Sequence, residues 1–387
     1  MRKLWLTFCQ TATVCLAVLF VVATLRPDLL SSHPRGDVIS IREQSAQDSP
    51  APQPALTSYS AAARKAMPSV VNIFTTQEVK RPRNPLLEDH PLFRFFGEMV
   101  DPGPQRREGL GSGVIVSEKG YILTSHHVIE SVDQIEVALG DARKVPATVV
   151  GTDPDTDLAV LKIDLPRLPA ITFARSDQVR VGDVVLAIGN PFGVGQTVTL
   201  GIVSGLGRTH LGISTFESFI QHDATIQPGN SGGALVDVEG NLVGINAAIF
   251  SQSPAGIPVG IGYAVPVSIA RQVMEQIIRD GSVTRGWIGV GVQDLTKELA
   301  ESLKLTTSKG VLITRIERGG PAEKAGVKLG DVLLAVNGAP VADSTMMLNL
   351  VAGLKPGEQA TLKVLREDAS PELQLTIGRR PKLPRKE

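Results

Sequence analysis

Apolar positions along this chain change character several times. Residues 4–25 hold no charged side chain and are interrupted only by small polar groups such as Thr and Gln. About 20 such residues span a bilayer core, so this stretch predicts a transmembrane anchor. Residues 26–57 are rich in Ser, Pro, Gln and Asp with little periodicity, which predicts a flexible tether. From there to residue 266, short Val- and Ile-rich runs alternate with turn signals. Strands are predicted at 69–74, 112–117, 135–139, 158–163, 184–188, 198–204 and 242–249. Turns are predicted at Lys119-Gly120, Gly140-Asp141, Val181-Gly182-Asp183 and Glu239-Gly240-Asn241. Closely spaced strands with no amphipathic helices between them imply a sandwich or barrel and argue against parallel βαβ units.

A helical period then appears. Ile269, Val273 and Ile277, with Met274 and Ile278 beside them, form an apolar stripe over 267–280, and Gly281 is placed to cap it. A second, smaller unit spans 286–379. It mixes strands (311–316, 332–336, 360–365, 372–377) with helical pieces near 322–325 and 344–352. The organisation read from the pattern is therefore an anchor at 4–25, a linker at 26–57, a first folded unit at 58–281 and a second at 286–379. One long break, 80–109, surrounds Leu92-Phe93-Arg94-Phe95-Phe96. A loop of that length is a functional element or a mobile insert.

Charge and cysteine narrow the chemistry. The 39 Lys and Arg balance the 39 Asp and Glu, and no basic stripe with interleaved aromatics appears, so nucleic acid is not an expected partner. Cys9 and Cys15 both lie in the anchor, which leaves no disulfide, thiolate metal site or cysteine nucleophile for the folded units. No metal cluster, phosphate loop or cofactor fingerprint is visible. Arg2 and Lys3 precede the anchor, so the positive-inside rule puts the rest of the chain across the membrane. A cleaved signal peptide is the competing reading. The run exceeds a usual signal core and lacks an A-x-A site, which favours an uncleaved anchor.

Three motifs carry chemistry. In Gly229-Asn230-Ser231-Gly232-Gly233 the glycines let the backbone bend around a serine and free the N–H groups of Gly229 and Ser231 for a developing oxyanion. Thr124-Ser125-His126-His127-Val128 sets histidines at a strand end, where imidazole can move protons near neutral pH; composition leaves open which of the two acts. Asp153-Pro154-Asp155-Thr156-Asp157 precedes an apolar run. An aspartate entering a buried strand needs a partner, and a catalytic histidine would supply one to Asp157. Asp153 and Asp155 read as turn residues. The order His, Asp, Ser is that of chymotrypsin-type enzymes.

Those motifs, with Asp157-Leu158-Ala159-Val160-Leu161 and Ser231-Gly232-Gly233-Ala234-Leu235, resemble the HtrA (Deg) family of serine proteases, from about residue 59 to 376. The likeness is to membrane-anchored members with one PDZ domain, of the DegS type. It implies a mainly β fold: a chymotrypsin-like double β-barrel followed by one PDZ domain, behind the transmembrane helix. It selects His127, which directly precedes Val, as the base. The chain departs from the family pattern at His126, where Asn is usual, and at His222, where Thr is common. The resemblance places Thr225, with Ile226, at the primary specificity pocket. Neither brings a carboxylate, so cleavage is expected after Val, Ala or Ile. Asn230 cannot pair with a newly cut N-terminus, which points to conformational control through loops 205–217 and 248–261. In the first of these, Arg208 matches the family's loop arginine that communicates with the PDZ domain.

In the second unit, Arg285-Gly286-Trp287-Ile288-Gly289-Val290 resembles a PDZ carboxylate-binding loop, supported by Gly319-Gly320-Pro321-Ala322 and Leu329-Gly330-Asp331-Val332. Peptide binding there is β-augmentation. Trp287, Ile288, Gly289 and Val290 are the expected peptide residues, with Leu348 on the helix side. The expected ligand is a hydrophobic C-terminus. Together these imply a regulated endopeptidase facing the bacterial periplasm from the inner membrane. Its substrates would be misfolded or membrane-associated proteins such as an anti-sigma factor. A trimer is implied, with Tyr59 and Phe74 as contacts. A general quality-control protease and a catalytically idle PDZ scaffold are the alternatives.

Overall fold

Among the described residues, two ladders close on themselves and a third sheet stays open. The structure is a computed structural model. It describes residues 58–79, 105–190, 195–249, 260–303, 309–367 and 369–381, with single positions at 5, 11, 13, 14, 17, 42, 43 and 305. A short helix, α1 (Ser60–Ala66), leads into the first sheet. Its strands are β1 (Val70–Val79), β2 (Gln105–Ile115), β3 (Tyr121–Ser125), β4 (Gln134–Ala138), β5 (Lys144–Pro146), β6 (Thr148–Asp153) and β7 (Leu158–Lys162), paired in the order β5-β4-β1-β2-β3-β7-β6. β5 and β6 are one stretch interrupted at Ala147, whose N–H donates to the Ile135 carbonyl of β4. That stretch pairs with β4 at its start and β7 at its end, which closes the sheet into a barrel. Val71, Ile73, Ile115, Ile122, Ala159 and Leu161 fill its interior, all fully buried.

The second sheet holds β8 (Thr172–Phe173), β9 (Val184–Gly189), β10 (Thr197–Arg208), β11 (Phe219–His222), β12 (Ala234–Val236), β13 (Leu242–Ile249) and β14 (Gly262–Pro266). The order β13-β12-β9-β10-β11-β14 returns to β13, a closed ring. β8 attaches to β13 in parallel, and the two-residue strand Arg42–Glu43 attaches to β8. Val185, Ala187, Val203, Ile220, Leu235 and Val243 form this interior. α2 (Val267–Asp280) follows, burying Val273, Met274 and Ile277 as its stripe predicts. It ends at Gly281, whose φ of 72° is cheap only for glycine.

The last unit contains β15 (Gly286–Trp287), β16 (Val290–Asp294), α3 (Lys297–Ser302), β17 (Val311–Ile316), α4 (Pro321–Lys324), β18 (Val332–Val336), β19 (Ala339–Pro340), α5 (Ser344–Ala352), β20 (Gln359–Leu365), β21 (Glu372–Thr376) and β22 (Gly378–Arg379). The main sheet runs β16-β17-β18-β20-β21, and β15 pairs with β22 apart from it. β16 is thus an edge strand. α5 starts beside it, with the Ser344 N–H donating to Asp294 Oδ1 at 2.6 Å.

The structure departs from the sequence pattern where strands are short or exposed. β5 and β6 are mostly solvent-facing, and β8, β11, β12 and β14 are too brief to show alternation. The final residues of the 80–109 break are strand, since Gln105–Gly109 pairs with Thr75–Val79 in backbone register. The aromatic cluster at 92–96 lies outside the described residues. So does most of 4–25, apart from Trp5, Thr11, Thr13, Val14 and Ala17, which are helical. Among the described residues no helix is long and apolar enough to cross a membrane.

Candidate active site

The fully buried strand β3 delivers its C-terminal end to a single turn, His126–Val128. Opposite it, the Asp153–Asp157 turn enters β7. Asp157 sits at φ 56°, a left-handed conformation that aspartate tolerates better than most residues. Its carbonyl accepts the His126 N–H at 3.0 Å, and its Oδ1 accepts the His127 N–H at 2.9 Å. Its Oδ2 lies 2.7 Å from His127 Nδ1. Of the two adjacent histidines, only His127 brings its ring to the carboxylate. The His126 ring buries Nδ1 without a partner. The hydrogen bond from Asp157 raises the His127 pKa against the opposing effect of burial, and the charges of Asp157 and Glu130 add to the rise.

Ser231 stands in a loop pinned from both barrels. Its carbonyl accepts the Ser112 N–H of β2 at 2.9 Å. Next in line, the Gly232 N–H donates to the Asn246 carbonyl of β13 at 2.7 Å. A Cβ at Gly232 would fall 2.2 Å from the Ser112 carbonyl and 2.3 Å from Thr124 Oγ1, and φ there is +81°. Only glycine fits, and its fit presses the serine loop against Thr124 and Ser125, just before the histidines. Ser231 is half-buried and makes no hydrogen bond to His127 among the described residues. Such bonds commonly tighten only when substrate is present. Asn230 N–H donates to the Gln227 carbonyl and Gly233 N–H to the Asn230 carbonyl, both at 3.0 Å. The N–H groups of Gly229 and Ser231 donate to nothing among the described residues.

Near the expected specificity pocket, Thr225 is exposed, and its carbonyl takes the Thr199 hydroxyl at 2.8 Å. Ile226 points into the second barrel and is 4% exposed. Asp223 is engaged by the Ile202 N–H at 2.6 Å. Arg208 bonds Gln221 across its own hairpin at 2.8 Å. His210 of that loop reaches the last unit, 3.3 Å from Thr345 Oγ1 and 3.4 Å from Asp294 Oδ2. Glu217, buried, shapes the loop by accepting N–H bonds from Leu211 and Ile213 at 2.7 Å each. The far end of the loop returns to the Asp153–Asp157 turn, where the Phe216 N–H donates to the Asp155 carbonyl at 2.9 Å.

Asp153 and Asp155 do more than shape a turn. Asp153 accepts one N–H from each of Arg285 Nη1 and Nη2, at 2.6 and 2.5 Å, and the Thr156 hydroxyl. Asp155 lies 3.4 Å from Arg380 and 3.8 Å from Arg285. Both arginines lie over the Phe216 ring. The pairing spans more than a hundred residues of chain, so the local sequence holds no trace of it.

In the last unit, Ile288 is 2% exposed and belongs to the core, while Trp287 is half-buried against Gly289 and Gly378. The Ile288 and Gly289 carbonyls are held by the Ala322 and Glu317 N–H groups at 2.9 and 2.8 Å. Among the described residues their own N–H groups donate to nothing. Gly289 itself sits at φ 78°. Val290 opens the edge strand, and Leu348 is a partly buried residue of α5 against the same core. Tyr59 and Phe74 are half-buried.

Comparisons with known proteins place both folded units in families. Residues 111–245 match the trypsin-like peptidase domain family and residues 286–377 the PDZ domain family. A probable periplasmic serine endoprotease DegP-like of Ectopseudomonas mendocina is 43% identical over 344 residues, covering 85% of this chain and 72% of that protein. The protein of the same name from Chlamydia pneumoniae is 44% identical, covering 84% and 69%. Among solved structures, the HtrA-type protease AlgW with a decapeptide matches with a TM-score of 0.73 and 49% identity, covering 84% of this chain and all of that one. The serine endoprotease from Yersinia pestis matches with a TM-score of 0.63 and 39% identity, covering 85% of this chain and 100% of that one.

Proposed function

Because this chain belongs to the HtrA family of serine endoproteases, with one peptide-binding PDZ domain, we propose that Ser231, His127 and Asp157 form its catalytic triad and that peptides at the PDZ domain regulate it. The observation that carries the catalytic half is the His127–Asp157 pair at 2.7 Å beside a loop with two unused N–H donors. Ser231 Oγ attacks the scissile carbonyl carbon while its proton passes to His127 Nε2. Asp157 fixes the tautomer and steadies the imidazolium. The carbonyl oxygen, now an anion, sits on the N–H groups of Gly229 and Ser231. Collapse expels the amine, which takes the proton from His127. Water then releases the acyl group by the same steps in reverse roles. With no carboxylate at Thr225 or Ile226, cleavage follows small aliphatic residues.

Regulation is supported by one loop that touches both ends of the problem. Its His210 meets the mouth of the groove between β16 and α5, and its Phe216 meets the turn that carries Asp157. A hydrophobic C-terminus entering the groove would place its carboxylate on the N–H groups at Ile288 and Gly289, and its backbone along β16. That occupancy shifts the loop and, through it, the catalytic turn; Arg208 acts within the same hairpin. The peptide complexes of AlgW support a peptide ligand here too. The names of the relatives support a periplasmic protease; its tether at the inner membrane through residues 4–25 and its assembly as a trimer are part of the same proposal. The DegP-like names also favour a second reading, broader removal of misfolded envelope proteins.

Cleavage of a reporter by the full chain, with and without a hydrophobic C-terminal peptide, tests both halves. The free-acid peptide is expected to raise the rate and its C-terminal amide to fail. Ser231→Ala should abolish cleavage, and retained activity in that variant would sink the triad.

A further inference from the structure

We infer that Ser112, on β2, is a positioning residue that sets the two oxyanion donors; this rests on Ser231 being the nucleophile. Ser112 is completely buried, and each of its polar groups is committed. Its N–H donates to the Ser231 carbonyl at 2.9 Å, and its carbonyl accepts the Thr124 hydroxyl at 2.7 Å. Its hydroxyl donates to the Gly229 carbonyl at 2.6 Å and accepts the Asn190 N–H at 2.9 Å.

The geometry of the loop shows what that hydroxyl does. Between the two free donors lies the peptide plane joining Gly229 to Asn230. Its N–H is held by the Gln227 carbonyl, and its C=O is held by Ser112 Oγ. Anchored at both ends, the plane cannot rotate about the chain. The next carbonyl, that of Asn230, is held by the Gly233 N–H. With both carbonyls turned away, the Gly229 and Ser231 N–H groups are left for an anion. Gly229 itself, at φ 99°, has no side chain to resist rotation. Removing the Ser112 proton therefore frees one end of the plane while leaving every residue of the loop in place.

Why serine stands there follows from its neighbours. A Cβ at Gly111 would fall 2.4 Å from Val128, and one at Gly113 would fall 2.7 Å from Ile122. The flanking glycines let β2 press against the base-bearing turn on one side. The short hydroxyl reaches the nucleophile loop on the other. A longer polar side chain has no room.

The test uses the full chain and a peptidyl trifluoromethyl ketone enriched with 13C at its carbonyl. Ser231 Oγ adds to that carbon to give a hemiketal, whose oxygen ionises on the donors. NMR titration reads its pKa. In Ser112→Ala, kcat is expected to fall about 10- to 100-fold with KM little changed, short of the loss seen when a donor itself is removed. The hemiketal pKa should rise by about one to two units, the same loss converted at tenfold per unit. Ser112→Cys keeps a weaker donor and should fall between the two; it also carries the test if the alanine variant does not fold. An unchanged hemiketal pKa in both variants, or a loss confined to KM, would overturn the assignment. Failure of the parent to form the hemiketal at all would instead remove Ser231 as nucleophile.

Discussion

His127 illustrates how a single contact tunes a residue. The short bond from Asp157 favours the imidazolium, so the folded chain holds a proton on His127 at pH values where a free histidine has lost it. A general base must be neutral, so activity rises with pH, and the acid limb of kcat/KM should have its midpoint above 6.5. Asp157→Asn removes the cause. The midpoint should move to lower pH and the rate should fall about ten-thousandfold. A limb that stays put in that variant would assign it to another group. The neighbouring pair also shows what sequence alone leaves open. Two histidines in a row are equivalent by composition, and only the path of the turn at His126–Val128 aims one ring at the carboxylate. Ser112 carried no signal beyond its place in a Gly-Ser-Gly strand, because its partners lie far along the chain.

At the scale of the element, the second barrel encloses a histidine whose ring is packed away from water. His222 of β11 is completely buried beside Gly262 and Ile226, and neither ring nitrogen has a hydrogen-bond partner. Burial pushes its pKa down to about 4, offset only in part by the Ala224 backbone and the charge of Asp223. The unfolded chain, titrating near 6.5, binds this proton first. Stability is thus fully present above that value and is lost as pH falls toward 4, by about 3 kcal/mol in total. Denaturant melts between pH 7 and 4 should show this loss, and His222→Phe should flatten it. An equal slope in both proteins would exonerate His222. The barrels themselves were legible in outline. Val-rich runs such as β7, β9 and β13 announce themselves, as does the stripe of α2. β5, β6 and β11 do not, since closure depends on register between distant strands rather than on any local period.

For the whole molecule, Arg285 is where the catalytic turn meets the last unit. Its guanidinium is almost buried on Asp153, itself 4% exposed, and lies over Phe216 of the 205–217 loop. Arg285→Ala strands a buried carboxylate, and losses of about 3–5 kcal/mol are usual when one partner of such a pair is removed. Calorimetry should resolve the loss as separate melting of the barrels and the PDZ unit, and adding Asp153→Asn should recover part of it. A single transition at the parent temperature would mean that the pair contributes nothing to the junction. The hairpin of β1 and β2 has a different bearing on the molecule. Its ladder stays in register out to Val79 and Gln105, so the two ends of the segment between them are already held side by side. Chain spliced in at such a tip is easy to resize, because doubling its length adds only about 0.6 kcal/mol of closure entropy. A substitution or lengthening of that segment therefore leaves the register of the hairpin beneath it, and the barrel it belongs to, in place.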